Sequence, residues 1–474
     1  MTANNVAGIP DLSACELARR VGDRDLSAAD VAEACLARVA ERNPDVNAVV
    51  TVNPRAVDEA RAVDERVLSG ERGLLLAGVP VGIKDVTPVA GLRTTYGSKL
   101  YAEHVADEDA EVVRRLRAAG AVILGKTNTP EFATGANTFN DVFGRTHNPW
   151  HLGLSAGGST GGGAAGLATG MFAVAEGTDL GGSLRIPAAF CGVVGLRPSP
   201  GLVPTWPSDY LWDTLQVSGP MAREAGDVAL ALQAMAGPGG RSPIVQPVEG
   251  RDFSAAVAAA TAVGLRVAYV ADIADIGVDP KIERVCREAA FALADEGARV
   301  EEIELDLAYG KEAFLDLRGY WMVAQHESRL DRSHELGDLL RGNLEAGLRR
   351  TTAELARSEA ARRRLWEETT ATLAAFDVVL TATVAVPPFP VTESYPRSIA
   401  GRPMKTYVDW IAPTFVLSLA GLPIVSVPAG LDDSGLPVGI QIMGPPRGEE
   451  TVLALAACVQ ALRPIGAPAP PGPR

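Results

Sequence analysis

Two glycine-rich stretches with hydroxyl side chains contain the residues best suited to chemistry. The first, SAGGSTGGGAAG (155–166), contains Ser159, and the second, GTDLGGSLRIPAA (177–189), contains Ser183. Glycine weakens helices and strands unless the backbone must adopt a conformation or make a contact that a side chain would prevent. We therefore predict that the backbone of these stretches contacts a ligand and that their serines supply reactive groups.

A lysine could activate one of these serines. A serine hydroxyl is a poor nucleophile until a neighbouring group accepts its proton. The stretch AGVPVGIKD (77–85) is a short apolar strand that carries Lys84 near its end, and apolar surroundings lower the pKa of a lysine towards the neutral amine. Nothing local places Lys84 near Ser159. Taken singly, Lys84 and Asp85 are typical of an ion pair at a strand end.

The rest of the chain alternates between helical and extended patterns, which indicates an α/β fold with a parallel or mixed sheet. Length alone suggests about three domains, and the stretch 237–250 is typical of a linker or surface loop. We predict helices at 27–43, 107–120, 280–297 and 407–421, and strands at 46–52, 121–125, 264–270, 376–384 and 438–444.

Composition excludes several classes of partner. The net charge of −14 argues against nucleic acid and anionic membranes, which require clustered basic residues. No apolar run is long enough to span a bilayer, and residues 1–13 lack a secretion signal, so we expect a cytoplasmic protein. The five cysteines have no CxxC spacing and are expected to be reduced and mostly buried rather than zinc ligands.

Short nucleotide-binding patterns occur in the wrong context. Residues 120–127 fit the P-loop letters, but the predicted strand lies inside the motif and Pro130 follows it. GGGAAG (161–166) fits a dinucleotide motif without the required strand and acidic residue, and a helix packed through small residues is the better interpretation. The histidines form neither a metal-ligand pattern nor a serine–histidine pair in a GxSxG context.

Together, GIKD, the serine pair, GTDLGGSLRIPAA and CGVVGLRPS (191–199) make the chain resemble the amidase signature family of serine hydrolases, from about Leu12 to Leu462. The resemblance implies an α/β fold: a single compact domain over 1–474, with a twisted mixed β-sheet covered by helices on both faces. The catalytic core would span about 77–205. The proline-rich tail, 463–474, is expected to be unstructured.

The resemblance also implies a Ser–cisSer–Lys triad. Ser183 would be the nucleophile, Ser159 the bridging serine on a cis peptide after Gly158, and Lys84 the base. Backbone N–H groups would form the oxyanion hole, at Leu180, Gly181 and Gly182.

Other motif positions would support the triad. Ser155 and Asp179 match family positions that brace the two loops, and Arg185 matches a structural arginine. Thr160 departs from the pattern, because most members have a second serine there. Threonine keeps the hydroxyl but is stiffer, so we expect tuning of the site.

We expect an amidase that hydrolyses small aryl or alkyl amides through an acyl-enzyme, with carbamates and esters also within reach of the same chemistry. No metal or cofactor is implied, and whether the chain forms a homodimer stays open. The alternative is the glutaminase subunit of a tRNA-dependent amidotransferase, from which the stretch 198–210 departs. The aromatic residues expected to line the substrate pocket are Trp206, Tyr210, Trp321 and Trp410.

Overall fold

The computed structural model describes residues 8–468. Residues 1–7, part of the segment judged to lack a secretion signal, and residues 469–474, half of the proline-rich tail, lie outside the described range. Residues 463–468 form neither helix nor strand. Among the described residues, no helix combines the length and apolar character needed to cross a bilayer.

One eleven-stranded sheet runs through the molecule. Its strands are β1 (Val49–Val52), β2 (Pro80–Lys84), β3 (Val122–Thr127), β4 (Val174–Asp179), β5 (Val194–Arg197), β6 (Val217–Ala222), β7 (Arg266–Tyr269), β8 (Arg299–Glu302), β9 (Val378–Ala382), β10 (Ile424–Leu431) and β11 (Pro437–Met443). The spatial order is β1-β3-β2-β4-β6-β5-β10-β11-β9-β7-β8.

The sheet is mixed. β3, β2 and β4 are parallel neighbours, and so are β9, β7 and β8, whereas the pairs between β4 and β9 are antiparallel. Short two-stranded pairs lie outside it, at 139–145, 147–155 and 398–403. The predicted α/β class with a mixed sheet is confirmed.

Helices flank the sheet. They are α1 (Ala14–Gly22), α2 (Ala28–Val46), α3 (Ala56–Leu68), α4 (Glu111–Ala118), α5 (Gly161–Ala168), α6 (Arg185–Cys191), α7 (Ala225–Met235), α8 (Phe253–Ala258), α9 (Pro280–Ala292), α10 (Gly310–Gln325), α11 (Asp338–Leu348), α12 (Thr352–Ala375), α13 (Ala412–Ser418) and α14 (Glu449–Leu462). Short 3₁₀ turns lie at Ile9–Asp11, Lys99–Tyr101, Glu131–Ala133, Glu327–Glu335 and Asp409–Ile411.

Every predicted helix and strand has a counterpart, with shifted ends. α2 begins after Ser27, which caps the helix because its side chain accepts from Asp30 N–H. It runs past Pro44, where a helix usually ends, because buried Val46 and the left-handed Asn47 hold its last turn. The predicted helix 407–421 is divided into a 3₁₀ turn and the shorter α13.

Helix α5 is packed through its small residues, as expected, and every residue in it is buried. A Cβ added at Gly162 would lie 2.3 Å from Asn128 N and 2.6 Å from Ala48 O. The helix therefore rests directly on the backbone that flanks β1 and β3. This close approach sets the position of Ser159, which lies just before α5.

We expect Gly162→Ala to destabilise the fold, because the new methyl group would meet backbone atoms that cannot move aside. Overpacking of this kind costs about 1–3 kcal/mol or more, so the midpoint of thermal or urea unfolding should fall.

Gly342→Ala is the matched control, since Gly342 also lies inside a helix and its added Cβ would have no neighbour within 4 Å. Alanine is favoured over glycine in a helix by about 0.8–1 kcal/mol, so this midpoint should rise. Equal midpoints for both variants would contradict the close-packing argument.

Candidate active site

Lys84 lies at the carboxyl end of β2 and is fully buried. Its Nζ is 2.7 Å from Ser159 Oγ and 3.0 Å from Thr178 Oγ1, within hydrogen-bonding distance of both. Thr178 belongs to β4, the parallel neighbour of β2. The sheet and the packing of α5 thus bring together Lys84 and Ser159, which the local sequence could not connect.

The electrostatics of the site favour a neutral lysine. Burial lowers the pKa of Lys84 to about 7, against the opposing charges of Glu176 and Asp179. Burial likewise raises the pKa of Glu176 to about 7. At neutral pH a substantial fraction of Lys84 is therefore the free amine, which can accept a proton.

A second buried lysine lies behind the first. The Nζ of Lys126 donates to Thr94 Oγ1 at 3.0 Å and lies 3.6 Å from Asp85 Oδ1. Burial lowers the pKa of Lys126 to about 8, although the charge of Asp85 raises it. Asp85 therefore pairs with Lys126, an ion pair that leaves Lys84 free to face Ser159.

The loop that carries Ser159 is fixed by hydrogen bonds. The Gly158–Ser159 peptide is cis, and Ser159 is fully buried. Thr138 Oγ1 donates to Gly157 O at 2.8 Å, and Gly157 N–H donates to Ser155 Oγ at 3.0 Å. Ser155 thus lies where a brace of this loop was predicted.

The two glycine-rich stretches touch each other. Thr160 N–H donates to Ser183 O at 3.1 Å, and a Cβ at Gly157, whose φ is +73°, would lie 2.9 Å from Pro187 Cα. Larger residues at 157 would separate the stretches. This contact explains why glycine is needed where the chain passes α6.

Ser183 is only half-buried and faces a cavity of about 50 Å³, hereafter the catalytic cavity. Ser159 also lines it. The other walls come from the loop 132–136 and from α10 and the segment before α13, through residues that include Phe314, Arg318, Trp321, Met322, Tyr407, Val408 and Ile411.

The predicted oxyanion donors fall into two groups. Gly182 N–H donates to Asp179 Oδ1 at 2.8 Å, so it is already engaged. The N–H groups of Leu180 and Gly181 have no partner within residues 8–468, and both residues line the catalytic cavity. The donors available to an oxyanion are therefore those of Leu180 and Gly181.

Asp179 organises the turn that presents Ser183. Its carboxylate accepts from Gly182 N–H and Leu184 N–H and from Arg185, whose Nε lies 3.1 Å from Oδ2. Burial acts to raise the pKa of Asp179, but Arg185 and Arg197 outweigh burial and hold the pKa well below its usual range. All three side chains are fully buried, and the single carboxylate offsets one of the two guanidinium charges.

Thr160 packs against the backbone of β4. A Cβ at Gly177 would lie 2.5 Å from Thr160 Cγ2, and the buried Oγ1 of Thr160 has no hydrogen-bond partner among residues 8–468. Thr160 therefore fills space that Gly177 leaves open.

The predicted aromatic pocket residues have different environments. Trp321 lines the catalytic cavity, and Trp206 lines an adjacent one. Tyr210 packs edge-on against Tyr320 and belongs to the small apolar cluster around Trp321.

Trp410 is fully buried and stacks on Phe190 at a centroid distance of 5.8 Å. Trp410 therefore lies in the core and not in the pocket that was predicted. A tryptophan in an apolar stretch of sequence fits either position, so sequence alone could not distinguish the two.

Sequence reasoning missed several contributors. Thr178 and Arg197 lie within quoted motifs, as the threonine of GTD and the arginine of GLRPS, so the motif letters contained the signal. Arg318 lines the cavity and donates to the Tyr407 hydroxyl. Neither Arg318 nor Tyr407 has a local signal, because they meet only in the folded chain.

Within the described residues, histidine, cysteine and acidic side chains form no group suited to holding a metal ion. Arg185 and Arg197 face Asp179 and backbone carbonyls rather than the cavity. The chemistry that the site itself offers is therefore nucleophilic attack by a hydroxyl with lysine as proton acceptor.

Several known proteins are similar to this chain over nearly its whole length. An acylamidase of Rhodococcus erythropolis is 37% identical over 461 residues, covering 96% of each chain. A glutamyl-tRNA(Gln) amidotransferase subunit of Rubrobacter xylanophilus is 35% identical, covering 95% of this chain and 97% of that one.

A solved bacterial aryl acylamidase of the amidase signature family superposes with a TM-score of 0.89 at 28% identity, covering 96% of each chain. The corresponding amidotransferase subunit of Thermotoga maritima gives 0.74 at 27%, covering 98% of each chain. The family model described as Amidase matches residues 30–453. The chain therefore belongs to the amidase family and, within it, to the amidase signature enzymes that hydrolyse amide C–N bonds.

Proposed function

We propose that this chain is an acylamidase in which Ser183 is the nucleophile, Ser159 the proton relay and Lys84 the base. The observation that carries the proposal is the buried 2.7 Å contact between Lys84 Nζ and Ser159 Oγ, beside a Ser183 that faces the cavity. One sheet supplies both Lys84 and the turn that carries Ser183, so we also propose that the chain acts as a single domain.

In the proposed first step, neutral Lys84 accepts the proton of Ser159, which accepts the proton of Ser183 as Ser183 Oγ attacks the substrate carbonyl carbon. Thr178 Oγ1 accepts an N–H of Lys84, which leaves the lone pair of the amine directed to Ser159. The N–H groups of Leu180 and Gly181 stabilise the oxyanion. Such a donor is typically worth about 100-fold or more in rate.

When the tetrahedral intermediate collapses, the C–N bond breaks and the proton passes back through Ser159 to the leaving nitrogen. Water then attacks the acyl-enzyme, with the same relay accepting its proton. The bond between the acyl carbon and Ser183 Oγ breaks, the relay returns the proton to Ser183 Oγ, and the carboxylic acid leaves. The protonation state of Lys84 returns to its starting point, so the cycle balances without a metal or cofactor.

The size of the catalytic cavity supports a small acyl group. About 50 Å³ is available, roughly a third of the cavity of about 150 Å³ that holds benzene. An acetyl-sized group suits this space better than a long acyl chain. Carbamates and esters share the carbonyl geometry, so we propose them as secondary substrates.

Replacing Ser183 with alanine should abolish turnover, because no other hydroxyl faces the reacting carbonyl in this mechanism. Loss of a catalytic serine typically costs about 10⁶-fold in kcat. Hydrolysis of acetanilide and covalent labelling by an acylating inhibitor, located by mass spectrometry, would measure both effects.

Ser69→Ala is the control, since Ser69 is exposed at the end of α3. An acyl adduct on another residue of the native chain would overturn the assignment of Ser183.

The rate should depend on pH through Lys84. Because the reaction needs the neutral amine and the pKa of Lys84 is about 7, kcat/KM should rise about tenfold per pH unit below 7 and level off above it.

The charge of Glu176 raises the pKa of Lys84, so Glu176→Gln should move this limb to lower pH. A pH profile of kcat/KM between about pH 5 and 9 for both proteins measures the shift. A lysine base would be contradicted if the rising part of the profile moved to higher pH in Glu176→Gln. It would also be contradicted if kcat/KM of the native chain fell as the pH rises through 7.

The second candidate function is the glutaminase subunit of an amidotransferase, favoured by the similarity to the amidotransferase subunit of Rubrobacter xylanophilus. The aromatic residues Phe314 and Trp321 in the walls of the catalytic cavity support an aryl substrate, whereas Arg318 in the same walls offers a partner for the carboxylate of glutamine.

We expect the purified chain alone to hydrolyse acetanilide faster than glutamine, because its cavity suits a small acyl group with an aryl amine. Release of aniline and of ammonia measures the two rates. Heat-denatured chain is the control. A glutaminase rate above the acetanilide rate would move the amidotransferase function to first place.

A further inference from the structure

A second cavity adjoins the catalytic cavity. The two share five wall residues: Phe132, Ala133, Thr178, Gln216 and Trp321. The second cavity has a volume of about 220 Å³, against about 50 Å³ for the catalytic cavity. Since a cavity of about 150 Å³ admits benzene, the second cavity is large enough for an aryl group.

His326 lines the second cavity and has no use in the proposed reaction. It is only 1% exposed, and neither of its ring nitrogens has a hydrogen-bond partner among the described residues. The ring is held edge-on against Phe132, with centroids 4.9 Å apart. An unpaired buried polar group is costly to a fold, so the two nitrogens point to a missing ligand.

The imidazole is neutral at physiological pH. Burial, together with the charge of Arg329, lowers the pKa of His326 to about 4, whereas the charge of Asp209 acts to raise it. A neutral imidazole has one N–H donor and one acceptor nitrogen. His326 can therefore pair with a group that both donates and accepts a hydrogen bond.

Trp206 supplies a second unpaired donor. It lines the same cavity, and its buried Nε1 has no hydrogen-bond partner in the described part of the chain. Two charged residues of the cavity wall, Arg329 and Asp209, form an ion pair at 2.6 Å, and Arg329 also donates to the Tyr101 hydroxyl at 3.0 Å. The groups of His326 and Trp206 that have no partner among the described residues are therefore neutral ones.

The position of the cavity indicates which part of a substrate enters it. The proton for the leaving nitrogen comes from the Lys84 side of the site, and Thr178, which accepts from Lys84, lines both cavities. The amine part of the substrate is the part nearest this wall.

We propose that the second cavity binds the amine part of the substrate, and that His326 and Trp206 recognise a neutral hydrogen-bonding group, such as a carboxamide, on an aryl amine. This inference rests on the proposed function for the identity of the amine part. Its hydrogen-bonding chemistry rests on the cavity alone.

Binding of free amines tests the cavity without turnover. We expect 4-aminobenzamide to bind the native chain about tenfold more tightly than aniline, the effect of roughly one or two hydrogen bonds, when measured by calorimetry. His326→Phe keeps a ring against Phe132 and removes both nitrogens, so it should abolish the difference. His334→Phe, at an exposed histidine, is the matched control and should preserve it.

Kinetics test the assignment to the amine side. The ratio of kcat/KM for 4-acetamidobenzamide to that for acetanilide should fall about tenfold in His326→Phe, the same factor as in binding, and Trp206→Phe should lower the same ratio. These variants separate the subsite from general loss of folding, because a folding defect would lower both rates and leave the ratio unchanged.

Equal binding of the two amines by the native chain would overturn the proposal. The proposal would also be overturned if His326→Phe left unchanged both the difference in binding between the two amines and the ratio of kcat/KM for the two amides. If neither amide is hydrolysed but 4-aminobenzamide still binds more tightly through His326, the acylamidase function fails and the hydrogen-bonding site stands.

Discussion

The contact between Lys84 and Ser159 is the constraint on which the rest of the site depends. A lysine can act as a base near neutral pH only when it is kept out of water, and Lys84 is fully buried. A fully buried Lys84 could not act on a substrate in the cavity unless another group carried the proton between them. In the proposed mechanism, Ser159, which is buried but lines the catalytic cavity, connects the buried lysine to the half-buried Ser183.

Other ionisable groups are buried around this contact, and two of the acidic ones lie in ion pairs. Asp85 lies beside Lys126, and Asp179 is held between Arg185 and Arg197. Removing one partner of a buried ion pair is strongly destabilising, by about 3–5 kcal/mol. The pairs therefore fix the positions of the chain at the ends of β2 and β4. The turn at Asp179 also orients the backbone that presents Ser183. These ion pairs contribute mainly by fixing the positions of the side chains and loops, and less by the net attraction between their charges.

Sequence predicted the class of fold correctly and indicated Lys84, Ser159 and Ser183 as candidate reactive residues, because both have local signatures. The alternation of strands and helices is visible in the letters, and Ser159, Ser183 and Lys84 stand in long motifs. The engaged N–H of Gly182 was not predictable, since it depends on how the Asp179 carboxylate folds back within the turn. The core position of Trp410 depends on its stacking against Phe190, which is far away in the chain. Long-range packing of this kind leaves no local pattern.

The glycines unite these observations. A side chain at Gly162 would push α5 from the backbone near Asn128, and one at Gly157 would push the Ser159 loop from Pro187. Either displacement would lengthen the path from Lys84 to Ser183, which tolerates little error because a hydrogen-bond relay works only within about 3 Å. The glycines therefore do more than expose backbone to a ligand. They let a helix, a strand and two loops approach closely enough for a buried amine to act on a serine at the cavity wall.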